Sequence, residues 1–388
     1  MKKTGTIIAV CISILLLVFP VLFFWIMSAF DGLTTSFIVP LIGVTLVVLI
    51  GFITFSIENK KFYKKTIILL SCFILLMVGA ILGENYYKNS YIPSITITQP
   101  VLYSYSYRPF SHSEDLAHLD TEATLRFTNN DELPVVDGAT ALFPVYCSFV
   151  EAVYPSDCDV NKCVNFNTTT GAYENLINGK DDVIFVAQPS KEQLESAKEA
   201  GIEFNMYPIG YEAFIFIVNQ KNPVDSLTIE QIKDIYTGKI TNWKELGGND
   251  TEIRPFQRDT NSGSQTAFLK VMGKDADLLK PETQKVIDGM GGLVDKVSDY
   301  QNHSNAIGYS FRYYVQNMKN NVNIKILKLN GIEASKETIK NKTYPITDNF
   351  YAITVKDRET ENTKRFIDWI LSSQGQELVD KVGYVSLD

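Results

Sequence analysis

Histidine is almost missing from this chain: three residues in 388, His112, His118 and His303, and no two of them at a metal-ligand spacing. No metal centre is therefore expected, and no cofactor fingerprint accompanies the scarcity. A basic balance is also lacking, because 36 Lys and Arg face 44 Asp and Glu, for a net charge of −8. That sign argues against nucleic acid or an anionic membrane surface as a partner. Cysteine is sparse: Cys11 and Cys72 fall in apolar runs, which leaves Cys147, Cys158 and Cys163. Cys158 and Cys163 bracket a short polar loop, and the spacing fits either a small-loop disulfide in an oxidising exterior or two free thiols.

Long apolar runs, by contrast, are present at residues 5–30, 33–57 and 66–82. Each approaches or exceeds the roughly 20 residues that span a bilayer as a helix. Lys2 and Lys3 precede the first run, and Lys60, Lys61, Lys64 and Lys65 separate the second from the third. The positive-inside rule then puts the N-terminus in the cytoplasm and everything after residue 82 outside. Met1-Lys2-Lys3 before an apolar run also begins secretion signals, but two further runs favour an anchor. A lipoprotein reading of Leu69-Leu70-Ser71-Cys72 fails because apolar residues continue after the cysteine. Residues 1–83 are thus read as a three-span anchor and 84–132 as a juxtamembrane spacer, with one strand at 95–97 and one helix near 118–127.

From residue 133 onward, strand-like runs alternate with helical patterns, which predicts an α/β architecture on mostly parallel sheets. Strands are expected at 135–136, 164–166, 182–186, 212–218, 252–256, 306–309, 322–327 and 349–355. Ser190 with Gln193, and Thr228 with Gln231, match capping boxes and open helices. A single terminal amphipathic helix is expected over 361–382, with Phe366, Ile367, Ile370 and Leu371 on one face.

Three hydroxyl-rich segments carry the chemistry: RDTNSGSQTAF at 258–268, GATALFP at 138–144 and NTTTGAY at 167–173. A helix start offers unpaired N–H groups and partial positive charge, serine and threonine add O–H donors, Gly263 admits a ligand to the backbone, and Arg258 can neutralise an anion bidentately. Each segment is also an ordinary helix cap when taken alone.

The stretch from Val218 to Phe268 combines Asn222-Pro223, a capped helix ending in Tyr236-Thr237-Gly238, the turn Ile240-Thr241-Asn242-Trp243, Gly247-Gly248, and Arg258 followed by Ser262-Gly263-Ser264. This combination resembles the phosphate-binding receptors of ABC importers, and the similarity covers residues 133–388. The resemblance implies the type 2 periplasmic-binding-protein fold, a two-lobed clamp preceded here by three transmembrane helices. Its first lobe would be discontinuous, 133–216 plus 308–388, with a second lobe at 217–307. Carried over by position, the ligand loops are Ala139-Thr140-Ala141, Thr168-Thr169-Thr170-Gly171, and Arg258 with Ser262, Gly263 and Ser264. Two positions depart from the family. Gln188 stands where an acidic residue accepts the proton of phosphate, and Thr260 stands where many relatives have an Asp near the arginine, the carboxylate being displaced to Asp259.

The implied function is capture of inorganic phosphate or a related tetrahedral oxyanion outside the cell, for an ABC permease in the same membrane. A sensory receptor using the same clamp without transport is the alternative, motivated by the three-span anchor. A scaffold with a decayed anion site is kept open by Ala139, Ala141 and Gln188. An enzyme is not expected, since no His or Cys adjoins the Ser-Gly-Ser turn and no paired-carboxylate signature accompanies it.

Overall fold

The computed structural model describes residues 107–388 apart from 112–114, 130, 275, 280–285, 288–304, 320–322 and 388. The three apolar runs and the strand expected at 95–97 lie outside the described residues. Among the described residues, no helix is long and apolar enough to cross a membrane.

In chain order the elements are β1 (Val136–Gly138), a 3-10 turn (Thr140–Leu142), α1 (Phe143–Val153), α2 (Val160–Cys163), α3 (Thr168–Ile177), β2 (Val183–Val186), α4 (Lys191–Glu199) and β3 (Phe204–Asn219). Next come β4 (Ser226–Leu227), α5 (Ile229–Tyr236), β5 (Arg254–Pro255), β6 (Gln257–Arg258), α6 (Gly263–Met272) and β7 (Val286–Ile287). The chain ends with β8 (Ala306–Phe311), β9 (Ile324–Ile326), β10 (Lys328–Leu329), α7 (Lys336–Lys340), β11 (Thr347–Val355), α8 (Glu361–Ile370) and α9 (Ser373–Val382).

The α/β class holds, but the main sheet is mixed rather than mostly parallel. Its order is β1-β2-β11-β3-β8-β5, with β9 also on β3. Only β1 with β2 and β5 with β8 pair in parallel. The 16-residue β3 explains the difference: its first part pairs antiparallel with β11 and its last part with β8 and β9, so one strand serves two halves of the sheet. Only its later part, 212–218, was expected; Pro208 and Gly210, residue types that disfavour strand interiors, lie in the earlier part. The ladder steps from Gly210–Phe350 to Pro208–Tyr351, a register shift that falls at the proline.

Two hydrophobic cores flank β3. The first packs α1, α3, β2, β11 and α8 around Phe149, Phe185 and Phe366; the second packs α5, α6 and β8 around Phe216, Tyr236 and Phe268. Ile209 belongs to the first core and Ala213 to the second, so β3 carries the chain across. Leu327, Leu329, Ile339 and Tyr344 enter the second core, although the sequence reading put residues 308–388 in the first lobe. The pairing of β9 with the end of β3 draws them there.

Two further expectations are corrected. Residues 118–127 form no helix and are a strap. Leu116 and Phe127 are buried in the first core, Phe127 N–H donates to Val153 O (2.8 Å), and the Gln374 amide donates to Glu122 O (2.9 Å). The terminal helix is two, broken at Leu371-Ser372. Gly375 permits the break, since a Cβ there would lie 2.2 Å from Ile370 O. Cys158 and Cys163 are free thiols with Sγ atoms 3.9 Å apart, and burial pushes the Cys163 thiol up to about 12.

Candidate functional site

The first segment turns directly off the sheet edge. Ala139 N–H donates to Phe185 O (2.8 Å) and is committed to β2, while Ala141 O accepts from the buried Tyr384 hydroxyl (2.5 Å). The N–H groups that a helix start leaves without an intrahelical partner are therefore those of Thr140 and Ala141. Asp137, fully buried in the middle of β1, ties this segment to the next. Its Oδ1 accepts from Asn167 N–H (2.8 Å) and its Oδ2 from the Asn167 amide (2.7 Å). Behind it lies Asp181, whose carboxyl burial and the neighbouring Asp137 charge push up to about 7, against the lowering effect of its bond from Asn165 (2.7 Å).

Asn167 opens α3, where Thr168, Thr169 and Thr170 occupy the first turn. Thr168 has φ of 61°, a left-handed conformation costly for a β-branched residue and characteristic of functional turns. Thr169 and Thr170 face α6. A Cβ built on Gly263 would lie 3.4 Å from Thr169 Oγ1 and 3.5 Å from Ala187 Cβ, and Thr170 Oγ1 donates to Asn261 O (3.3 Å). The structure thus brings the second and third expected loops together across the two cores.

In the third loop the two serines have different duties. Ser262 is the N-cap of α6: its Oγ accepts from Gln265 N–H (3.2 Å) and donates to Asp259 O (3.1 Å), so the hydroxyl is spent on the fold. Ser264 Oγ, on a residue only 1% exposed, has no hydrogen-bond partner. Arg258 is 8% exposed. Its Nε and Nη2 bond Asp259 Oδ1 (3.3 and 3.1 Å), its backbone N–H donates to Gln265 Oε1 and Tyr309 Oη (3.0 Å each), and Nη1 is buried without a partner. The displaced carboxylate at Asp259 thus pairs with the arginine, as an Asp at position 260 would. A buried donor left unmade costs about 1–3 kcal/mol, more for a charged one. Two such donors, one on the strand leading into α6 and one in the first turn of that helix, are what an anion satisfies.

Gln188 follows Ala187, whose Cβ adjoins Gly263. Its amide nitrogen donates to Tyr351 Oη (3.1 Å) and its oxygen accepts from Lys270 Nζ (3.4 Å), which also pairs with Asp348. The side chain therefore joins α6 to β11 with both of its polar atoms engaged.

A family profile described as a PBP superfamily domain matches residues 128–374. The chain belongs to the PBP superfamily. Similar to this PBP-superfamily chain is the phosphate-binding protein PstS of Borreliella burgdorferi, 27% identical over 265 residues, which cover 67% of this chain and 91% of that protein. Protein SphX of Synechococcus elongatus is 26% identical over 270 residues, 66% of this chain and 77% of that one. Among solved structures, a Clostridium perfringens protein assigned as a phosphate ABC transporter substrate-binding protein, with bound phosphate, is 32% identical. It matches 66% of this chain and 100% of its own, with a TM-score of 0.53. The fold is accordingly the type 2 periplasmic-binding-protein-like α/β fold.

Within this PBP-superfamily site, sequence reasoning missed Asp137, Asn261, Gln265 and Tyr309. Asn261 sits inside a motif in which only Arg, Ser and Gly carried a chemical signal, and Asp137 reads as the end of a strand. Gln265 and Tyr309 share a buried hydrogen bond and jointly hold the Arg258 backbone. Nothing in a single sequence pairs residues 44 positions apart.

Proposed function

We propose that this chain is an extracellular solute-binding protein that holds inorganic phosphate, or a similar tetrahedral oxyanion, between two lobes for ABC-type import. The observation that carries the reading is the pair of buried, partnerless donors, Arg258 Nη1 and Ser264 Oγ, on a loop that faces the hydroxyl-rich start of α3. The phosphate-binding proteins among its relatives support the same ligand class. We assign the lobes by core: the first takes residues 133–209 and 347–384, the second 213–346, with Ala141 and Tyr313 each packing into the other lobe's core. Thr140 and Thr169 donate from the first lobe, where the Thr170 hydroxyl is committed to the Asn261 carbonyl; Arg258, Ser264 and the Gly263 backbone close from the second. Closure replaces the anion's water by fixed N–H and O–H donors, and the closed shape is what a permease reads. The three apolar runs serve as the anchor. With Gln188 bound to Lys270 and Tyr351, discrimination between phosphate and sulfate falls to other acceptors, of which Asp259 beside Arg258 is the candidate.

Calorimetric titration of the purified protein with phosphate and with sulfate, at two pH values, tests the reading. Phosphate binding with sulfate rejected supports a receptor in which Asp259 accepts the phosphate proton. A folded protein that binds neither anion would sink the proposal.

A further inference from the structure

Helix α4 opens on a capping box whose acceptors face inward and whose donors face the other lobe. Ser190 Oγ accepts from Gln193 N–H (3.1 Å), and Gln193 Oε1 accepts from Ser190 N–H (2.8 Å). That reciprocal pair leaves two donors unused, the serine hydroxyl proton and the glutamine amide nitrogen. Both reach Asn261: Ser190 Oγ donates to Asn261 Oδ1 (3.1 Å), and Gln193 Nε2 donates to the Asn261 carbonyl (3.3 Å). The same carbonyl takes the Thr170 hydroxyl (3.3 Å). Asn261 immediately precedes the Ser262-Gly263-Ser264 turn, and Ser190 and Gln193 are each only 7% exposed. A second box of like chemistry, Thr228 with Gln231, makes the same reciprocal bonds on the surface.

We propose that the α4 capping box is the closure latch of the clamp, positioning the Arg258–Ser264 loop against the first lobe and setting how readily the lobes part. Its effect on anion affinity rests on the oxyanion-clamp reading; its effect on lobe contact does not. The chemistry is specific to Ser and Gln. Asp at the N-cap and Glu at the third position cap a helix equally well, but as carboxylates they carry no proton to donate. A Glu carboxylate at position 193 would face the Asn261 backbone carbonyl, acceptor against acceptor, whereas an Asp at position 190 would face the Asn261 side-chain amide and force it to turn over to donate. Threonine at position 190 keeps both the acceptor and the donor.

The test compares the full-length protein with Ser190→Asp, Gln193→Glu, Ser190→Thr and, as control, Gln231→Glu. Hydrogen–deuterium exchange is read over residues 258–266, 168–172 and 191–199, and inorganic phosphate affinity is read by calorimetry. In Gln193→Glu we expect amides of 258–266 and 168–172 to exchange about tenfold faster, with α4 itself unchanged and phosphate bound about tenfold more weakly, and in Ser190→Asp a smaller change in the same direction, because the Asn261 amide can turn to donate. Ser190→Thr and Gln231→Glu should behave as the parent. Unchanged exchange at 258–266 in both carboxylate variants overturns the latch, as does accelerated exchange confined to α4, which would mark a capping role only. If the parent itself binds no phosphate, the proposed ligand fails, and the exchange measurements still decide the latch.

Discussion

Arg258 and Ser264 make the sharpest claim at the scale of single residues, because their donors are buried and unmatched within the protein. Arg258→Ala should remove a charge-assisted contact of about 1.5–3 kcal/mol and weaken phosphate binding roughly ten- to hundredfold by calorimetry. The two serines should separate by the sign of their effect on stability. Ser264→Ala deletes a hydroxyl that has no partner, so the unliganded protein should be as stable as the parent, or up to about 1 kcal/mol more stable, while losing about tenfold in phosphate affinity. Ser262→Ala deletes a cap and should cost about 1 kcal/mol of stability in urea denaturation. Equal destabilisation by both would deny Ser264 a ligand role. These two positions were legible as a pair because Ser-Gly-Ser before an apolar run marks a helix start; which serine caps and which faces the ligand depends on a helical register that the motif does not state. Gln188 shows the opposite limit. Its position matched a family site while its type departed from the acidic residue expected there, and Lys270 and Tyr351, far away in sequence, decide where its amide points.

Between residues and the whole lie the elements, and here the buttress beneath α3 has a predictable response to pH. Asp137 holds the α3 start through Asn167, and Asp181 stands behind it with its carboxyl raised from 3.8 to about 7 by burial first and the Asp137 charge second. Between about pH 4 and 7 the folded state therefore keeps a proton that the unfolded chain has released. Stability is greatest at the acid end of that window, falls as pH rises towards 7, and levels off above it. Asp181→Asn keeps an oxygen for the Asn165 amide and removes the titration. It should be more stable than the parent at pH 8, by about 2–4 kcal/mol, with the advantage falling to about 1–2 kcal/mol at pH 5 and nearly vanishing at pH 4 in paired urea denaturations. A parent whose stability does not change between pH 5 and 8 would contradict the raised carboxyl. Elements with strong local signals were legible: α4 and α5 from their capping boxes, and β2 and β11 from their apolar runs. Those that depend on distant partners were not. The first half of β3 hides behind Pro208, beside which the ladder with β11 shifts register, and the strap at 118–127 is non-helical because Leu116 and Phe127 are drawn into a core built by other segments.

For the molecule as a whole, the two-lobed clamp was legible only through resemblance, since alternating strands and helices do not say where one core ends and the next begins. The division falls within β3, beside a buried ion pair. Glu212 Oε1 lies 3.5 Å from Arg312 Nε, Glu212 also accepts from the N–H groups of Ala213 (2.8 Å) and Tyr313 (3.2 Å), and Arg312 donates to Gly383 O (2.8 Å). The pair thus binds the crossing strand to the chain's return and to its C-terminus. Arg312→Met should strand a buried carboxylate and cost about 3–5 kcal/mol in thermal or urea unfolding. A ligand held by both lobes stabilises the whole assembly by mass action. Phosphate at one hundred times its dissociation constant should add about 2.7 kcal/mol to unfolding. At that same phosphate concentration, Arg258→Ala with affinity reduced ten- to hundredfold should gain only about 0.4–1.4 kcal/mol. Calorimetric melting of both proteins, with and without phosphate, checks the two numbers together. Equal ligand-induced shifts would place the anion away from Arg258, and a shift confined to one of two resolved transitions would place it in a single lobe rather than between them.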